Sequence, residues 1–167
     1  LIARVNRGYA NFNKGEIDKA IADYSVAIAK DPGLAKAYNR RGEAYYAKGM
    51  VEGSSADFDR ARKIDPKSHL VLSWRGQAYA EIGDFERAFE DLEKAINIDP
   101  NSGSAYTNRG RAWLKKDEAD KAIADFNKAI EISPTDAASF AGRGEADAKK
   151  GDTGNAVADY EKVLQIA

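Results

Sequence analysis

The 167-residue chain sets 26 Lys and Arg against 27 Asp and Glu, and its net charge of −1 offers no general field to nucleic acid or anionic lipid. Hydrophobic residues make up 43% and charged ones 32%, the balance of a soluble protein, and no run approaches the ~18 apolar residues of a membrane span. Zero cysteines exclude disulfides and thiolate metal sites while leaving cytoplasm and periplasm equally open.

Prolines stand at Pro32, Pro66, Pro100 and Pro134, each 34 residues from the next. The same period carries Gly8, Gly42, Gly76, Gly110 and Gly144, and Ala10, Ala44, Ala78, Ala112 and Ala146. Five copies follow: 1–34, 35–68, 69–102, 103–136 and 137–167, the last three residues short. Apolar residues inside each copy recur with period 3.6, which predicts two helices per copy of roughly 13 residues, ten in all.

In the first copy the break between helices is Gly15-Glu16, and Asp31-Pro32 ends the unit, because proline cannot continue a helix. The second breaks at Gly49-Met50, but carries Gly53-Ser54-Ser55 where its neighbours have a charge, an alanine and a larger apolar group. Its second helix is expected to be the softest, since Gly53 costs about 1 kcal/mol of helix propensity against alanine. In the third, Leu72, Tyr79 and Ile82 mark one helix; Phe85, Ala88, Phe89, Leu92, Ala95 and Ile96 form the stripe of the other, after Gly83-Asp84. The fourth has Asp117 in place of the turn glycine, so its turn must find another geometry or tolerate strain. The fifth breaks at Gly151-Asp152.

A hairpin of two short helices cannot bury its apolar faces alone, and stacking neighbours builds a continuous core. The spacing Gly8, Ala20, Tyr24, Ala27 and Pro32, repeated as Gly42, Tyr45, Phe58, Ala61 and Pro66 and as Gly110, Trp113, Ala122, Phe126, Ala129 and Pro134, resembles the tetratricopeptide repeat (TPR) over the whole chain. That resemblance implies an all-α, right-handed α-solenoid of five helix-turn-helix repeats in a single array, 1–167. Repeat position 11, aromatic in the family pattern, departs at Asn11 and Asp147.

An enzyme finds little support. His69 is the single histidine and begins the third repeat, so no His cluster can hold a metal; the glycines recur at 34 and never form a phosphate-cradling run. No catalytic residue, metal site or cofactor is expected.

Two charged rows recur in all five copies: Arg7, Arg41, Arg75, Arg109 and Arg143, and Asp23, Asp57, Asp91, Asp125 and Asp159. The family pattern is apolar at position 7, so a charge pair replaces a packing contact. Arginine's planar fork can meet a carboxylate through two parallel hydrogen bonds. A structural ladder is the favoured reading and an arginine row that reads acidic ligands the other; pairing within or between repeats stays open.

The resemblance also implies a groove along the first helices, at repeat positions 2, 5, 6, 9, 12 and 13, that binds a peptide or protein partner. Its candidates are Asn6, Tyr9, Lys36, Asn39, Arg40, Tyr46, Trp74, Gln77, Asn108, Arg111 and Lys115. Trp74 offers a large apolar face, unless a register shift places it in the core. Asn6 and Asn108 stand where relatives bond a peptide backbone, and Lys36, Arg40, Arg111 and Lys115 suit acidic groups, unless they are only a solvated face. Asn6, Lys36 and Arg40 reproduce three of the five residues with which cochaperones of this family clamp a dicarboxylate; the other two would precede Leu1.

Self-assembly end to end is the second functional reading, because the fifth repeat keeps Val157, Val163, Leu164 and Ile166 and the first keeps Ala3 and Ala10, as if something packed against them. The chain opens on Leu1, with neither a signal segment nor an initiator Met, as expected of an excised or processed product.

Overall fold

The computed structural model describes residues 1–166, and Ala167 lies outside the described residues. Ten α-helices follow in order: α1 (Ile2–Asn13), α2 (Ile17–Lys30), α3 (Ala35–Ala47), α4 (Val51–Ile64), α5 (His69–Glu81), α6 (Phe85–Ile98), α7 (Gly103–Lys115), α8 (Ala119–Ile132), α9 (Ala137–Lys150) and α10 (Thr153–Ile166). There is no strand among the described residues, and no helix is long and apolar enough to cross a membrane.

Each odd-numbered helix packs on the even one that follows it, and each even helix on the next odd one; the odd helices also touch their odd neighbours in a row. Among the described residues no helix reaches further than the adjacent repeat, which makes the molecule an α-solenoid.

Glycine at position 8 lets the hairpins close tightly. A Cβ at Gly42 would come within 2.7 Å of the Phe58 ring, and one at Gly8 equally near Tyr24. Those rings, like Phe126, are fully buried. Burial is uneven along the stack: α5 hides nine of its thirteen residues, whereas α1 hides Val5 and Gly8 and α10 hides Ala156 and Asp159.

The turn inside each hairpin needs one left-handed residue, supplied by Gly15, Gly49, Gly83 and Gly151 at φ 77° to 83°. Asp117 takes the same conformation at φ 63°, so the fourth hairpin keeps its shape by tolerating strain rather than by changing geometry. Between repeats, the carboxylates of Asp31, Asp65 and Asp99 accept from the backbone N–H two residues on, at 2.9, 3.3 and 3.1 Å, and close the turn that each proline enters. Helix α4 runs unbroken through Gly53-Ser54-Ser55. Ser54 is fully buried there, and neither its hydroxyl nor that of Ser55 has a hydrogen-bond partner among the described residues.

Candidate functional site

Two sets of polar residues line the odd helices. In the first, each arginine grips the aspartate sixteen residues ahead in its own repeat. Arg41 donates from Nε and Nη2 to Asp57 at 2.7 and 2.8 Å, Arg75 to Asp91 at 2.6 and 2.7 Å, Arg109 to Asp125 and Arg143 to Asp159 at 2.8 and 2.7 Å. Arg7 holds Asp23 in the same way, from Nε at 2.8 Å and through Nη2. The Arg7 hydrogen bonds keep the Asp23 carboxyl below its usual range.

In three of the five, Nη1 also reaches back sixteen residues into the preceding repeat. Arg41 meets Ser25 Oγ at 3.0 Å, Arg75 meets Asp59 Oδ1 at 2.6 Å, and Arg143 meets Asn127 Oδ1 at 2.6 Å. Pairing is therefore within repeats for the fork and between repeats for the third arm. With all five forks closed by aspartate, they are not open to an acidic ligand. Sequence reasoning missed Ser25, Asp59 and Asn127; the only available signal was polar character recurring sixteen residues before each arginine.

The second set is the expected groove row, which the structure divides. Asn39, Gln77 and Asn108 are buried. Asn39 Nδ2 donates to Glu43 Oε1 at 3.1 Å, Gln77 Nε2 to Tyr46 Oη at 2.9 Å, and Asn108 Nδ2 to Ser73 Oγ at 3.0 Å. Gln77 and Asn108 thus bond across to the odd helix before their own, whereas Asn39 bonds within α3 and also lines a hollow beside Lys36 and Arg40.

The other candidates remain accessible. Arg40 lays its guanidinium 4.5 Å over the half-exposed Tyr9 ring and pairs with Glu43 Oε2 at 2.7 Å. Burial outweighs Arg40 and Asn39 in holding the Glu43 carboxyl above its ordinary range. Trp74 is half-buried, neither core nor free, with Tyr46 edge-on at 6.3 Å. Tyr46 Oη donates to Glu81 Oε1 at 2.9 Å, and Lys115 pairs with Glu81 Oε2 at 2.8 Å. Asn6 and Lys36 are exposed, and Arg111 is half-buried.

Neither Lys36 nor Arg111 has an ion-pair partner among the described residues, and each lines a hollow. One, of about 180 Å³, brings Lys36 and Arg40 beside Asn39, Leu70 and Val71. The other, of about 380 Å³, sets Arg111 and Lys115 beside Glu81, Leu114, Glu145 and Lys149. Among the described residues no group of three His, Cys, Asp or Glu could hold a metal. His69 begins α5 with Nδ1 3.7 Å from Asp99.

Comparison with known proteins agrees with this architecture. A family profile described as TPR repeat matches residues 8–49 and 76–117, and profiles described as tetratricopeptide repeat match 35–68 and 103–136. A search of curated protein sequences returns no match. Among solved structures, TTC0263, a thermophilic TPR protein in Thermus thermophilus, superposes with a TM-score of 0.92 at 20% identity, over 99% of this chain and 90% of that one. MamA gives 0.68 at 25% identity, also over 99% and 90%. YrrB, described as a TPR protein with an unusual peptide-binding site, gives 0.62 at 22% identity over 98% and 84%. The chain belongs to the tetratricopeptide repeat family.

Proposed function

We propose that this array is a non-enzymatic interaction scaffold that holds one extended peptide or protein segment of acidic character along the wall of odd helices. The observation that carries this reading is the pair of uncommitted cations, Lys36 and Arg111, each in its own hollow on either side of the half-buried Trp74. An aromatic anchor flanked by cations suits a chain that bears carboxylates, since interface energy concentrates in Trp, Tyr and Arg. The arginine ladder keeps the wall in register, while Arg40 on Tyr9 and Tyr46 against Trp74 hold the anchoring side chains in place.

Selection from a displayed library of random peptides on the immobilised chain tests this. Enriched peptides should be rich in Asp and Glu, and Trp74→Ala or Arg111→Glu should weaken each by at least about tenfold with helicity intact. Peptides without acidic bias, or binding that survives both substitutions, would overturn it.

A further inference from the structure

We propose that the hollow between α8, α9 and α10 binds a primary ammonium group, borne by a lysine side chain of a partner or by a polyamine, with Asp147 as its counter-ion. Asp147 is 8% exposed, lines this space of about 310 Å³, and receives no hydrogen bond to its side chain among the described residues. A carboxylate so enclosed ordinarily has a cation or a donor beside it. The two cations near enough to act on it are both engaged: Arg143 holds Asp159 and Asn127, and Lys150 holds Asp120. Burial first, then the charges of Asp152 and Asp159, make the carboxyl cling to its proton, a state that an incoming cation relieves.

The other repeats show what belongs there. Repeat position 19 is a cation laid over the aromatic ring of position 11 in the third and fourth repeats: the Arg87 guanidinium lies 4.7 Å from the centre of Tyr79, and Lys121 Nζ 4.6 Å from that of Trp113. In the fifth repeat Asp147 takes the place of the ring and Asn155 the place of the cation. Asn155 donates its amide to Asp152 at 2.8 Å. The demand for positive charge is thus greater than over a ring, and the chain's own cation is missing. An amide at position 11 has no such need, since Asn11 Nδ2 donates to Asp23 at 3.3 Å; an ionised Asp147 has no proton to offer Asp159. Ile123 and Ala158 wall the same space, so a methylene stem can lie against them while its ammonium reaches Asp147.

The opening belongs to the side of the stack. Ala158 has exposed counterparts in Ala22, Ala56, Glu90 and Ala124, each in a repeat that another repeat follows. The hollow shares no residue with those of Lys36 and Arg111, so the site is independent of the acidic-peptide reading.

Nuclear magnetic resonance titration with n-butylammonium chloride tests the proposal, with sodium chloride at equal ionic strength as the control. The amide signals of Ile123, Asp147 and Asn155 should shift and saturate with butylammonium and not with sodium. Asp147→Asn, whose amide can bond Asp159 as Asn11 bonds Asp23, should lose the response with helicity intact by circular dichroism. Asn155→Lys should lose it too, because its own ammonium fills the seat from within, and its melting temperature should rise. Separate titrations with N-acetyl-lysine amide and with spermidine distinguish the sources; the tighter of the two names the source, and either upholds the site. A butylammonium response that matches sodium, never saturates or survives either substitution overturns the proposal.

Discussion

Arg75 Nη1 donates to Asp59 Oδ1 at 2.6 Å across the joint between α4 and α5, while its fork holds Asp91. One side chain therefore spans two repeats, and the two aspartates it touches are not equivalent. Asp91 is 2% exposed and Asp59 is 47% exposed.

Asp91→Ala should strand a guanidinium that is itself 8% exposed, and we expect a loss of about 3–5 kcal/mol in urea unfolding. Asp59→Ala removes a partner that water can replace and should cost less than about 1 kcal/mol. Equal losses would mean that the inter-repeat arm matters as much as the fork.

Ser54 occupies the site held by Ala20, Ala88, Ala122 and Ala156 in the other repeats, fully buried with an unpartnered hydroxyl. Ser54→Ala should add about 1 kcal/mol by removing it. Gly53→Ala should add a similar amount, since a Cβ there meets Tyr45 at an ordinary 3.4 Å and helix propensity improves. Thermal melts of the two single variants and the double variant check both.

At position 11 the interior aromatics fill space: Trp113 stacks on Phe89 of the repeat before it at 3.9 Å. Asp147 cannot, and a hollow of about 310 Å³ remains beside it, walled by Ile123, Asn127 and Arg143. Burial, reinforced by Asp152 and Asp159, raises the Asp147 carboxyl above its usual range. Asp147→Tyr should fill the hollow against Ile123 and stabilise the fifth repeat by about 1–2 kcal/mol, read as a higher melting temperature.

Glu43 supplies the pH dependence. Burial raises its folded-state affinity for a proton above the unfolded value, so its contribution to stability is full at low pH and is lost as pH rises through the raised folded value. Glu43→Gln, which never ionises, should melt above wild type at pH 8, with the gap narrowing towards pH 4. A wild-type advantage at pH 8 would show that the Arg40 pair outweighs desolvation.

The ten helices were legible because proline and glycine mark all but one of the boundaries between them with the same chemistry: Pro32 and its repeats end the units, and Gly15 and its repeats turn them. Asp117 shows the limit of that rule, since a backbone can demand the left-handed region without glycine when the flanking helices over-determine the turn. The arginine rows were visible as identities, but their third contacts were not, because Ser25, Asp59 and Asn127 share only polarity. The burial of Asn39, Gln77 and Asn108 was not legible for a related reason. Repeat position tells which helix face a side chain leaves from, whereas a neighbour's size decides whether it reaches a partner; Asn108 finds one because Ser73 opposite is small.

Helix α5 is clad on nearly every side, and α1 and α10 are almost bare. A stack held only by nearest neighbours then melts from its extremities inward, so amide protons of α5 should exchange with solvent last and those of the outermost helices first. Trp74 sits on the slowest-breathing rung, and a guest resting there would feel little of the fraying on either side.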